Sequence, residues 1–156
     1  MQVLPNAARV FAHHSETWGG APASVVPMAG SKVCGSVIEL SAEELKLLDP
    51  FEVVAKADPY AATLDAMYRR QDVVIDCDGE AVVAVMYVII DQHWVGPPSA
   101  KYLDACRRNL EPFWPDEAVL AQQLEVRDAG GHLITGPTPE VVPFGGHKVR
   151  NVLEEE

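Results

Sequence analysis

The chain reads as an α+β domain in which several short strands are interspersed with short helices. Three observations predict this. Runs rich in valine and isoleucine recur at strand length, the longest at Ala81–Ile90. Ser41 and Ser99 each stand just before a stretch with helical apolar spacing. Turn dipeptides, above all Asp78-Gly79, separate the strands.

Taken in order, residues 1–6 carry no clear pattern, and Val10-Phe11-Ala12 begins the first recognisable strand. His13 and His14 follow. Adjacent residues on a strand face opposite sides, so the pair reads as a polar strand end rather than a metal site. Trp18-Gly19-Gly20 is a turn, and Ala23–Met28 is a second strand, closed by a turn at Ala29-Gly30-Ser31. A strand from Lys32 to Leu40 then pairs back as a hairpin. Ser41 and Glu44 form a capping box for a helix whose apolar side is Leu45, Leu47 and Leu48. Pro50 is expected to end that helix, since the residue before proline avoids the helical region. This would deliver Glu52 just past a helix end, beside Phe51. Partial desolvation there raises a carboxylate's pKa and makes it a better proton acceptor near neutral pH. On residue type alone, a surface glutamate is the plainer reading.

Asp58-Pro59 breaks the following stretch, and Tyr60–Met67 holds a helical turn or two. Asp72–Asp76 and Ala81–Ile90 form a hairpin across Asp78-Gly79. Gly96-Pro97-Pro98-Ser99 is a rigid loop, and Ser99 caps a helix over Ala100–Leu110. Tyr102 lies on the apolar face of that helix as a packing residue. Ala118–Leu124 is a short helix, and Asp128-Ala129-Gly130-Gly131 signals a last hairpin.

A length of 156 residues fits one domain, residues 1–156, with a substantial core. The net charge of −11 argues against nucleic acid and against an anionic membrane as partners. Three cysteines without tight spacing fit a reduced, cytoplasmic protein. No apolar run reaches membrane-spanning length, and no signal peptide is visible. Oligomeric state is left open.

Gly35, Val37, Glu39, Leu40, Ser41, Leu48, Asp49 and Glu52 together form a strand-like G-x-V-x-E-L run, a capped helix and Leu-Asp-x-x-Glu. This resembles the core of the gamma-glutamylcyclotransferase-like family. Trp18-Gly19-Gly20 upstream, and Tyr68-Arg69-Arg70 and Gly96-Pro97-Pro98-Ser99 downstream, fall in the same order as in that family, so the resemblance covers roughly residues 7 to 114. It implies a small mixed β-barrel-like sheet with a cavity at one end. It implies Glu52 as the general acid and base, with Tyr68 and Gly35 among the substrate-binding residues. The reaction so implied is intramolecular. The α-amine of a γ-glutamyl small molecule attacks its own γ-carbonyl, releasing 5-oxoproline without a cofactor or metal. The alternative is a non-catalytic small-molecule-binding or interaction domain on the same fold.

Members of that family begin with a strand running into a Tyr-Gly-Ser-Asn-like loop, whose backbone N–H groups face the substrate. No such motif stands near the start of this chain, and residues 1–10 look too few to hold the strand. Val141–Pro143 followed by Phe144, Gly145 and Gly146 resembles that missing strand and loop. The expectation is that residues 135–156 supply it, with Phe144, Gly145 and Gly146 at the substrate.

Overall fold

The first strand begins at the second residue. The computed structural model describes residues 1–52 and 68–135, with side chains for 1–48 and 68–135. Gln2–Phe11 form β1, so the opening residues that carried no pattern are a strand after all. Pro5 and Asn6 hide it. Proline lacks the ladder N–H, and Asn6 adopts φ 52, so the polarity alternation breaks in mid-strand.

The partner is a single 13-residue strand, β2, from Ala23 to Gly35. Two strands with a turn between them were expected here. Instead Ala29-Gly30-Ser31 lies in a bulge, and β1 pairs with β2 on both sides of it, from Phe11↔Ala23 to Gln2↔Gly35. Gly30 supplies the left-handed kink at φ 82, and its N–H donates to Asn6 Oδ1 at 3.2 Å. A glycine kink reads alike in a turn and in a bulge until the partner strand is known. Beyond Gly35 the chain leaves the sheet, so residues 36–40 are not strand.

Helix α1 runs Ala42–Glu52. Its capping box forms as expected: Glu44 N donates to Ser41 Oγ at 3.1 Å, and Ser41 N donates to Glu44 Oε2 at 2.7 Å. Pro50 does not stop it. It stands in the last turn, where its ring holds φ near the helical value and the missing N–H leaves one carbonyl of the preceding turn without its helical donor. Glu52 is thus the last residue of α1, not a residue beyond it.

β3 (Tyr68–Cys77) and β4 (Glu80–Ile89) form the expected hairpin. Asp78 and Gly79 take φ 55 and 89, the two left-handed positions of a turn whose twist suits a hairpin. The sheet order is β2-β1-β3-β4, antiparallel at every pairing. Among the described residues it is open rather than closed, and antiparallel rather than mixed. β1 meets β3 only at Gln2↔Cys77 and Val3↔Asp76. At the other end the two edge strands come close to one another, and a side chain of β2 links them. Ser24 Oγ, on β2, accepts from Ile89 N at 3.1 Å and from Gln92 Nε2 at 2.9 Å.

Helices α2 (Ala100–Leu110) and α3 (Glu117–Gln123) cover one sheet face. Ser99 and Asp116 cap them, each side-chain oxygen accepting from the first turn. Leu110, Trp114 and Leu120 pack there on Cys34 and Val3. Leu120 is fully buried, which contributes about 1.5–3 kcal/mol. Gln123 is buried as well, and its carboxamide joins α3 to β2: Oε1 accepts from Cys34 N at 2.9 Å and Nε2 donates to Lys32 O at 3.0 Å. The opposite face of the sheet looks onto α1.

Candidate active site

One end of the sheet gathers the exit of β1, the entry of β2, the start of β3 and the exit of β4. Phe11 pairs with Ala23, Tyr68 pairs with Ile89, and Ser24 ties Ile89 to β2. The loop leaving β1, residues 12–22, lies over this end. His13, His14 and Ser15 begin it.

That loop is held from several sides. His13 N donates to His93 O at 3.1 Å, and Ala21 N donates to Pro97 O at 3.2 Å. Ser15 and Gly20 form an isolated antiparallel bridge, and Trp18 N donates to Ser15 Oγ at 3.3 Å. Trp18 packs on Tyr102, ring centroids 5.1 Å apart, and Lys101 lies over the Trp18 ring. Tyr102 packs as expected, and it has a polar duty too: its hydroxyl accepts from Ala23 N at 2.9 Å. Burial pushes the Tyr102 phenol up, so it stays a neutral hydroxyl.

His13 sits at φ 63, a left-handed conformation that costs a non-glycine residue about 1 kcal/mol or more. Such a turn re-aims the next peptide. Among the described residues no hydrogen bond is made by the N–H of His14. The buried His14 Nδ1 likewise has no partner there. A fixed, unspent N–H in a tight left-handed turn is a ready donor to a carboxylate or an oxyanion. The His13 and His93 rings lie 6.0 Å apart, and His93 Nδ1 is 2.8 Å from Asp91 Oδ1. Burial, with the His93 imidazole nearby, lowers the His13 pKa below 6.5. Among the described residues no group of three or more His, Cys, Asp or Glu side chains is arranged to hold a metal.

The far part of the sheet carries a cavity of about 600 Å³. Its walls include Leu4, Val33, Val82 and Met86 from the sheet and Leu45 and Leu48 from α1. The residues of the G-x-V-x-E-L run, Gly35, Val37, Glu39 and Leu40, line it too.

The structure thus separates two residues expected to act together. Tyr68 stands at the loop end of β3, whereas Gly35 stands where β1 meets Cys77 at the other end. The length of β3, roughly 30 Å of extended chain, lies between those ends. Gly35 is at the far end because β2 runs unbroken from Ala23, and its carbonyl accepts from Trp114 Nε1 at 3.0 Å. Glu52 closes α1, and its side chain lies outside the described residues. Phe144, Gly145 and Gly146 lie outside them as well, with all of 136–156. The sequence reading missed Ser24, Asp91, Gln92 and His93. A strand followed by a polar turn and Gly19-Gly20 was the available signal for the loop, concealed because histidines stand at its tip.

An antiparallel sheet with α2 and α3 on one face, α1 facing the other and a pinned polar loop over one end defines a small α+β domain. Residues 2–104 match the family model for gamma-glutamyl cyclotransferase, AIG2-like. The match covers well over half of the chain, which belongs to this family. Two solved structures are similar in fold. One is a gamma-glutamyl cyclotransferase at 16% identity and TM-score 0.65, covering 99% of this chain and 83% of that one. The other is an uncharacterized protein from Homo sapiens, also at 16% identity and TM-score 0.65, covering 98% and 82%. No curated protein matches. No helix among the described residues is long and apolar enough to cross a membrane.

Proposed function

We propose that this protein releases 5-oxoproline from a γ-glutamyl small molecule, with Glu52 as the general acid and base. The observation that carries the reading is the loop after β1, pinned by His93 and Pro97, with no hydrogen bond made by the His14 N–H among the described residues. A γ-carbonyl placed there would develop its oxyanion against a donor that needs no reorganisation. Tyr68 stands at the same end of the sheet and would contact the substrate. The nucleophile is the substrate's own α-amine, so the chain needs no serine or cysteine nucleophile. This suits the thiols: burial pushes Cys34 and Cys106 up, away from the thiolate form. Ring closure holds the reacting atoms together already, and the protein selects the bent conformer. Family membership supports a small-molecule partner of this class.

The test is 5-oxoproline release from a panel of γ-glutamyl amino acids, amines and peptides. The wild-type protein is expected to turn over at least one of them, and Glu52→Gln to lose activity by about 10²-fold or more while keeping its unfolding midpoint. Full activity in Glu52→Gln would reject the role of that carboxylate. No release from any donor by folded protein would leave a binding domain on the same scaffold.

A further inference from the structure

The ladder between β1 and β2 breaks between Pro5 and Ala7, and Ser31 lies in the bulge. A small pocket opens there, beside the end of α3. Arg9, Ser31 and Lys32 stand on its sheet side, and Gln122, Glu125 and Arg127 on the other. We propose that this pocket seats a phosphate dianion, free or at the end of a small molecule, held by Arg9, Lys32, Ser31 and Gln122. Such a site does not depend on the reaction proposed above.

The hydrogen bonds already made select the sign of the guest. The acceptors round the pocket are spent. Gln122 O accepts from Glu125 N at 3.4 Å, and Gln123 O from Arg9 Nη1 at 3.5 Å. Lys32 O and Gln123 Oε1 are taken by the carboxamide link between α3 and β2. The Glu125 carboxylate accepts from Arg127 Nη2 at 2.9 Å, and that pair is neutral as a unit. The donors are not spent. Among the described residues no hydrogen bond is made by Lys32 Nζ, Ser31 Oγ or the Gln122 carboxamide, and the Arg9 side chain makes only the long bond to Gln123 O. A pocket with spent acceptors and unspent donors takes a ligand that only accepts.

Charge points the same way. Arg9 is two residues from Phe11 along β1, and Lys32 two from Cys34 along β2, so both side chains face the helix layer. Burial pushes the Cys34 thiol up, and Lys32 and Arg9 are the charges that pull against it, so both reach the same neighbour. Neither forms an ion pair among the described residues, although the chain carries a net charge of −11. Two cations left over match a dianion, whereas a carboxylate would leave one of them unmet. The guanidinium fork of Arg9 also suits two oxygens of one phosphate. The cavity, about 20 Å³, admits one water-sized group. One phosphate oxygen therefore enters, and the others stay at the mouth, where Lys32 is exposed. The bound anion joins β1, the bulge of β2 and α3, and so stabilises the folded chain by mass action.

The experiment follows thermal unfolding at about pH 8 and constant ionic strength, with chloride replaced stepwise by inorganic phosphate, phenyl phosphate or acetate. Phosphate is expected to raise the midpoint saturably, and acetate to leave it at the chloride value. Lys32→Gln, a change at an exposed position, should raise the phosphate dissociation constant by about 10-fold. Arg9→Lys keeps the charge but loses the fork, and should raise it by about as much. Lys46→Gln, at an exposed cation on α1, should bind as the wild type does. Phosphorus-31 line broadening gives the same constants without unfolding, so a variant of altered stability is still read. A midpoint that rises with phenyl phosphate as well identifies a seat for a terminal phosphate; one that rises with inorganic phosphate alone identifies a seat for the free ion. An equal response to acetate, no response to phosphate by either method, or an unchanged constant in Lys32→Gln overturns the proposal.

Discussion

At Gly20 a side chain has no room. A Cβ there would stand 2.7 Å from Ser99 N, 2.9 Å from Pro97 O and 3.1 Å from Pro98 C, all of them backbone. Gly20→Ala should therefore push the loop off its support and cost about 1–3 kcal/mol in chemical denaturation. At Gly35 a Cβ meets nothing within 4 Å, so Gly35→Ala is expected to change stability by no more than about 0.5 kcal/mol. His13 makes a pH prediction of definite sign. Its pKa is lower in the folded protein than the ordinary 6.5, so the unfolded chain binds more protons in the window below 6.5. Stability falls as pH drops through that window and is fully present above it. Urea midpoints measured on either side of the window should show the loss, and His13→Asn should lessen it. None of this was open to a reading by residue type. Two adjacent histidines look like an ordinary polar strand end until the turn at φ 63 and the facing His93 are seen.

Among the elements, those set by local chemistry were legible. Asp78-Gly79 names its own turn, and Ser41 with Glu44 and Ser99 name their helix starts through bonds to neighbours in sequence. β1 and β2 were not legible in that way. Whether Gly30 turns a chain back or bulges a strand depends on what lies alongside, and the strand alongside was itself interrupted by Pro5 and Asn6. The helix layer was half legible: the face of α2 could be read, but not that Gln123 on α3 would be buried and spend its whole carboxamide on β2. Gln123→Leu keeps much of the volume and orphans Cys34 N and Lys32 O. A loss of about 2–4 kcal/mol is expected, since each buried polar group left unpaired costs about 1–3 kcal/mol. Thermal unfolding against Glu117→Gln, an exposed change on the same helix, would measure it.

For the whole molecule, the described sheet is curled rather than closed, and Ser24 is where its edges meet. Ser24→Ala removes the acceptor for the Ile89 amide. Because Ile89 pairs with Tyr68, the loop end of β3 should loosen with it. Hydrogen exchange at Ile89 should quicken while exchange near Asp78 is unchanged. The other edge carries a different device. In a parallel sheet one residue donates its N–H to a carbonyl and accepts from the N–H two residues further along the neighbouring strand. The Gln123 carboxamide does the same to Lys32 and Cys34, and so counterfeits one residue of an additional strand. A sheet edge occupied by an impostor cannot recruit a real strand at that register. Gln123→Leu should therefore do more than weaken the fold: it should make light scattering rise with protein concentration, as β2 of one molecule finds β2 of the next.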